Sequence, residues 1–138
     1  MQVNFKKLDS SAYVPTYGTD GAAAFDLYAS TKVVGTGRVI VETGLAFEIP
    51  HGYAMIIKPR SGLAFKDSEH AFSGTIDSDY RGEVKVLITS ENPEQMITVH
   101  PGQRIAQAII LPLPRITFQE VSELSDTLRG AQGFGHTG

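Results

Sequence analysis

Gly74-Thr75-Ile76-Asp77-Ser78-Asp79-Tyr80-Arg81-Gly82-Glu83-Val84 is followed by Val86 and Ile88 on alternate positions, and its reading decides the fold. Ile76 leads in and the apolar alternation leads out. The simplest reading is two strands joined by a charged, aromatic-bearing turn. Two carboxylates, an aromatic ring and an arginine crowd into that turn between glycines. It reads two ways: as a solvated turn, because Asp and Gly favour turns whatever the function, or as a site, because loops carry binding and catalytic groups.

Outward from this stretch, short apolar segments recur between Gly and Pro breaks, which predicts an all-β barrel or sandwich. Val3 and Phe5 alternate with polar neighbours and predict a first strand. Thr16 to Ala22 reads as a Gly-containing loop ahead of a strand in which Phe25 and Leu27 alternate with Asp26 and Tyr28. Further strands are expected over Gly37 to Glu42, over Leu45, Phe47 and Ile49, and over Tyr53 to Lys58, where Pro59 stops the ladder. Lys66 to His70 is polar enough to hold one helical turn and no more. Met96 to Val99 and Arg104 to Leu111 read as strands around His100-Pro101-Gly102. The second is nearly continuous apolar, as a strand buried on both faces would be. Val121 to Leu128 has only weak helical spacing, and the tail from Arg129 to Gly138 is glycine-rich with one aromatic.

With 138 residues the chain is one domain of ordinary size, long enough to bury a core without staples. A formal net charge of -3 argues against general nucleic-acid binding, which leaves a broad basic footprint. It leaves room for an anionic small ligand held by a few arginines and a metal ion. The absence of Cys excludes disulfides and thiolate metal sites. Met1 to Lys7 lacks the apolar core of a signal peptide, and no later apolar run is long enough to span a bilayer. A soluble cytoplasmic protein without a membrane partner is the expectation.

Several residues carry chemistry. Arg60-Ser61-Gly62 follows a proline-terminated strand, and a guanidinium, a hydroxyl and an open backbone N–H suit a phosphate. A polar turn is the commoner use of such a tripeptide. Gln107 interrupts an apolar strand; it either satisfies a neighbouring backbone group or holds a water or ligand edge, since an unpaired buried amide costs about 1–3 kcal/mol. Asp26 points away from the face of Phe25 and Leu27, either as a cap or surface group or beside a hydrated hard cation. The Arg129 to Gly135 stretch is either a disordered tail or an arm that closes over an anion, with Phe134 stacking on a planar ring. It lacks the lysine and following helix of a P-loop.

Taken in order, these stretches resemble the homotrimeric deoxyuridine triphosphatase (dUTPase) family along nearly the whole chain. Ala24-Phe25-Asp26-Leu27-Tyr28-Ala29 is similar to the family's first motif and Pro59-Arg60-Ser61-Gly62-Leu63-Ala64 to its second. Gly74 to Glu83 resembles the third, Gly102-Gln103-Arg104-Ile105-Ala106-Gln107 the fourth, and Arg129 to Gly138 the fifth. Thr43-Gly44-Leu45 with Ile49-Pro50-His51-Gly52-Tyr53 matches the connecting region.

The resemblance implies a jelly-roll-like β domain over residues 1–128 and a flexible glycine-rich arm over 129–138. It implies hydrolysis of dUTP to dUMP and pyrophosphate, which lowers dUTP and supplies dUMP for dTTP synthesis. It also implies a homotrimer with shared active sites, each closed by a neighbour's arm. Asp77 would activate the water that attacks the α-phosphorus in line, and Gln107 would help position it. Tyr80 would pack under the deoxyribose, and backbone groups of Gly74, Thr75 and Ile76, with the strand at Lys85, would read uracil. Arg60, Ser61 and Gly62 would hold the phosphates, Arg129 and the arm's N–H groups around Gly135 the γ-phosphate, and Phe134 would stack on the base. Mg2+ would chelate the triphosphate, with Asp26 binding one of its waters.

Departures concern the base. Phe65 to Ser73 is about two residues shorter than is usual in the family, and Ala71 stands where many members carry a uracil-contacting Asn. Thr75, Ala24 and Gln132 also differ from common members. Ala71 and the short segment shift base recognition towards the main chain or a rearranged hairpin, and Gln132, where the arm usually has glycine, bears on arm closure. The nearest rival enzyme, a deoxycytidine triphosphate deaminase on the same fold, uses a glutamate base. A regulatory module of this fold would not need Asp77 and the arm, and a jelly-roll scaffold has no feature of its own here.

Overall fold

The chain forms strands β1 (Asn4–Lys7), β2 (Thr16–Tyr17), β3 (Phe25–Tyr28), β4 (Val33–Thr36), β5 (Arg38–Glu42) and β6 (Leu45–Glu48). They are followed by β7 (Tyr53–Lys58), β8 (Glu69–Phe72), β9 (Thr75–Ile76), β10 (Lys85–Ser90), β11 (Met96–Val99) and β12 (Arg104–Pro112). This computed structural model describes residues 1–60, 69–72 and 74–133, and among them there is no helix. Among the described residues no helix is therefore long and apolar enough to cross a membrane. The all-β, jelly-roll-like expectation holds.

The largest sheet has the order β2-β3-β12-β7-β9, with every pair antiparallel. A second runs β5-β10-β8, and two ribbons pair β1 with β6 and β4 with β11. The continuous apolar run on β12 fits its central place, with Ile105, Ala106 and Ala108 buried between β3 and β7. Alternation on β10 buries Val86 and Ile88, which join Leu27, Met55, Ile97 and Val99 in one core. Each such side chain contributes about 1.5–3 kcal/mol of transfer free energy.

The central hairpin expected from sequence does not form. β9 pairs with β7, whereas β10 pairs with β5 and β8. The Asp77–Glu83 segment therefore crosses between two sheets instead of closing one ladder. Alternation marks a strand but not its partner, because the partner is chosen by burial far along the chain. Of the Lys66 to His70 stretch allowed one helical turn, residues 66–68 lie outside the described residues, and residues 69–70 open β8, whose ladder runs from Ser90↔Glu69 to Leu87↔Phe72. β2 and β4 were not foreseen. β4, Val33-Val34-Gly35-Thr36, is short and contains glycine, and its order comes from pairing with β11.

The crossing segment is tied down where it meets β6. Thr43 is fully buried; its Oγ1 donates to the Val84 carbonyl (2.6 Å) and accepts from the Leu45 N–H (3.2 Å). Gly44 has a φ of 66°, and a Cβ there would meet Ala12 Cβ at 2.8 Å, so only glycine fits. Its N–H donates to Glu83 Oε1 at 2.9 Å.

Candidate active site

The chemistry-bearing residues fall into two groups. The first sits where β8 leaves β10 and the chain joins β7 as β9. The strands diverge there and leave a groove of about 350 Å³ lined by Thr75, Ile76, Asp77, Tyr80, Glu83 and Lys85. β9 is the edge of its sheet. The Ile57 N–H donates to the Gly74 carbonyl at 3.1 Å, so by strand alternation the N–H and C=O of Thr75 turn to the open edge. On the other wall, the described ladder between β10 and β8 runs as far as Leu87↔Phe72. The groove thus offers the main-chain edge of Thr75 to a flat ligand with its own donors and acceptors.

Asp77 and Tyr80 sit at the two ends of a turn closed by Tyr80 N–H to Asp77 C=O at 3.2 Å. Tyr80 Oη donates to the Glu83 carbonyl at 3.0 Å, which lays the ring back over Gly82. Asp77 is exposed on a ridge between this groove and a second, of about 660 Å³, whose lining includes His51, Ser78, Arg115 and Phe118. Lys85 Nζ bridges Glu42 Oε1 (2.7 Å) and Glu83 Oε2 (3.3 Å). The hydrogen bond it donates to Glu42, then the one to Glu83, holds its ammonium pKa above the ordinary lysine value.

The second group centres on Asp26, the one buried carboxylate among the described residues. Its Oδ1 lies 3.1 Å from Arg60 Nε and its Oδ2 3.5 Å from Arg104 Nη1. It is neither a cap nor a surface group. Two guanidiniums against one carboxylate leave a local excess of positive charge, which suits an anion. Gln107 is the cross-strand neighbour of both Asp26 on β3 and Lys58 on β7, and its Nε2 donates to the Pro59 carbonyl at 3.1 Å. The amide is satisfied by a neighbouring backbone group and holds the chain just before Arg60.

Sequence reasoning gave Arg104 no role. Three residues from Gln107, it would face the opposite side of a regular strand. The register of β12 against β3 shifts between Arg104 and Ala106, and this bulge turns Arg104 onto the Asp26 side. Ala71 is buried in β8 opposite Ile88 rather than at the groove. Ser61 and Gly62 of the second group, and Phe134 and Gly135 of the tail, lie outside the described residues. Arg129 lies in an exposed turn, where its Nε donates to the Gln132 carbonyl at 2.8 Å. It joins neither group.

One chain does not bring the two groups together. Ile76 is opposite Met55 and Gln107 is opposite Lys58. Three residues of β7 separate these levels, about 10 Å at 3.3 Å per residue. Asp77 lies one residue further out. Hydrogen-bond reach is about 3 Å, so Asp77 and Gln107 of the same chain do not share a water.

A sequence profile of the dUTPase family matches residues 10–138. The deoxyuridine 5'-triphosphate nucleotidohydrolase of Nautilia profundicola is 49% identical over 142 aligned positions, covering 100% of this chain and 99% of the relative. Among solved structures, the Staphylococcus bacteriophage 80alpha dUTPase with dUPNHPP superposes with a TM-score of 0.91 at 24% identity, covering 99% of this chain and 98% of the other. A mutant dUTPase of Staphylococcus aureus phage phi11, described for its coordination of a structural Mg(II) ion, superposes with a TM-score of 0.82 at 20% identity, over 89% and 98% of the two chains. These two likenesses concern the fold.

Proposed function

The chain belongs to the dUTPase family, and on that premise we propose that it hydrolyses dUTP to dUMP and pyrophosphate, lowering dUTP and supplying dUMP for dTTP synthesis. The observation that carries the reading is the open main-chain edge at Thr75, set in one groove with Asp77, Tyr80 and Lys85. Uracil presents alternating acceptors and a donor, which a strand edge can pair with even though Ala71 supplies no amide. The Tyr80 ring walls the sugar and leaves no room for a 2′-hydroxyl.

Asp77 accepts a proton from a water whose oxygen attacks the α-phosphorus. The bond to the α–β bridging oxygen breaks, and pyrophosphate leaves with that electron pair. The work is positioning and charge neutralisation. Arg60, Ser61 and Gly62 hold the phosphates, and Gln107 orients the water. Arg129, Phe134 and Gly135 belong to an arm, residues 129–138, that closes over the nucleotide bound to the 1–128 domain and excludes bulk water.

The chain's own donors suit a cation held through water. Among the described residues no three His, Cys, Asp or Glu side chains gather into a metal cage, and Asp26 is a single oxygen donor beside the phosphate-binding arginines. Hard Mg2+ keeps its waters and takes phosphate oxygens. Bound with the nucleotide, the ion would supply neutralisation of triphosphate charge, and Asp26 would be the residue that holds it, through water.

The separation of Asp77 from Gln107 along β7 supports a site shared between copies, in a homotrimer. The net charge of -3 gives no support to a nucleic-acid partner.

Pyrophosphate release from dUTP, dCTP, dTTP and UTP with Mg2+, for the wild type and Asp77→Asn, tests the reading. Turnover of dUTP alone is expected, and the substitution lowers it by at least about a thousandfold, within the range for loss of a general base. Tight dUTP binding without pyrophosphate release, unchanged by the substitution, overturns it.

A further inference from the structure

Arg81 adjoins the Asp77–Tyr80 turn, and no role assigned above uses it. Its Nη1 donates to two carbonyls of that turn, Ser78 at 2.7 Å and Tyr80 at 3.1 Å. Its Nη2 lies 3.9 Å from Glu48 Oε1 on β6, and Glu48 Oε2 accepts from Asn4 Nδ2 of β1 at 2.8 Å. Arg81 does not line the Thr75–Lys85 groove. It lines a separate groove on the far side of the turn, with Asn4, Phe5, Leu8, Phe47 and Glu48.

We propose that Arg81 is a positioning residue that clamps the turn from behind and so fixes Asp77 and the Tyr80 ring relative to each other. Asp77 and Tyr80 are the first and last residues of the turn, joined directly by one 3.2 Å hydrogen bond. Ser78 and Asp79 between them make no ladder pairs. One guanidinium nitrogen, held in the plane of its group, that gathers the second and fourth carbonyls of the turn resists its rotation in a way that one hydrogen bond does not. The contact to Glu48 carries that restraint to the β1–β6 ribbon. The inference rests on the hydrolase reading and deepens it: one side chain outside the pocket sets both water activation and sugar discrimination.

The test compares wild type, Arg81→Gln and Arg81→Lys for kcat and KM on dUTP and UTP, together with the thermal midpoint of each protein. Misplacing a reacting group by about 1 Å costs up to about 100-fold, so Arg81→Gln is expected to lower kcat on dUTP by about 10–100-fold. The preference for dUTP over UTP narrows as the Tyr80 wall loosens. Arg81→Lys, which keeps the charge and a nitrogen with several donors but loses the planar guanidinium and its second nitrogen towards Glu48, recovers part of both. A purely structural role would move the thermal midpoint and leave the preference alone. Unchanged kcat and preference in a folded Arg81→Gln protein overturn the proposal. So does a rise in KM for dUTP with kcat and preference intact, the mark of a direct substrate contact. A wild type inactive on dUTP overturns the hydrolase reading instead.

Discussion

At the scale of single residues, Gly82 shows how a missing side chain shapes the site. A Cβ there would stand 2.5 Å from Tyr80 Cζ and 2.9 Å from Tyr80 Cε2, although the backbone of Gly82 is not in the left-handed region. The end of a tyrosine ring swings away at small cost, so Gly82→Ala is expected to change stability by no more than about 1 kcal/mol. The displaced ring no longer walls the sugar, and kcat/KM for dUTP falls about tenfold or more while discrimination against UTP weakens. Paired urea melts and dUTP/UTP kinetics check this. A large loss of stability with kinetics intact would assign Gly82 to folding alone. The sequence singles out Asp77, Tyr80, Arg60 and Gln107 because they interrupt apolar or glycine-bounded stretches where a core has no use for them. The fold sets the first two at one groove and the last two beside Asp26. Arg104 was not legible in this way, because its direction depends on a bulge that side-chain alternation does not reveal. The depth of Asp26 was hidden for the same reason: two arginines from β12 and the end of β7 cover it.

At the scale of elements, the decisive event is the parting of β8 and β9 into different sheets. Local alternation predicted strands on both sides of the Asp77 turn, and both are there. Their partners are β7 for one and β5 with β8 for the other, a choice made by distant burial. The groove exists because of that parting, which the hairpin reading hid even though Thr75, Ile76, Asp77, Tyr80 and Lys85 were expected together. β8 was illegible for a related reason: Glu69-His70-Ala71-Phe72 has weak strand propensity and is held by its ladder to β10. Where β10 emerges, Lys85 links it to Glu42 of β5 and to Glu83. Its folded pKa is raised by those bonds, so the stabilisation is fully present below the ordinary lysine value and is lost as pH rises through the raised one. The stability difference between wild type and Lys85→Met, read by urea denaturation, is therefore expected to stay flat from neutral pH to the ordinary lysine range and to shrink above it. A difference that grows with alkaline pH contradicts the assigned hydrogen bonds.

At the scale of the whole molecule, a single chain leaves two things unfinished. The Asp77 group and the Arg60–Gln107 group stand at different levels of β7, and every described residue from Leu111 to Gly133 is exposed. That exposed length carries Ile116, Phe118, Val121 and Leu124, apolar side chains that this chain's core does not cover. Both facts fit an assembly in which one copy supplies Asp77, another supplies Arg60, and the terminal segment lies on a neighbour. Mixing tests the arrangement without a structure of the complex. Asp77→Asn and Arg60→Gln are each expected to be inactive alone. After unfolding and refolding together in equal amounts, a site that joins Asp77 of one copy to Arg60 of another is intact when the first copy carries only the Arg60 substitution and the second only the Asp77 substitution. Random assembly gives that combination in about a quarter of sites in a cyclic oligomer. Recovery of about a quarter of wild-type dUTP turnover supports sites built between copies. If both groups served one site within a chain, every site would keep one lesion, and the mixture would stay as inactive as its parents.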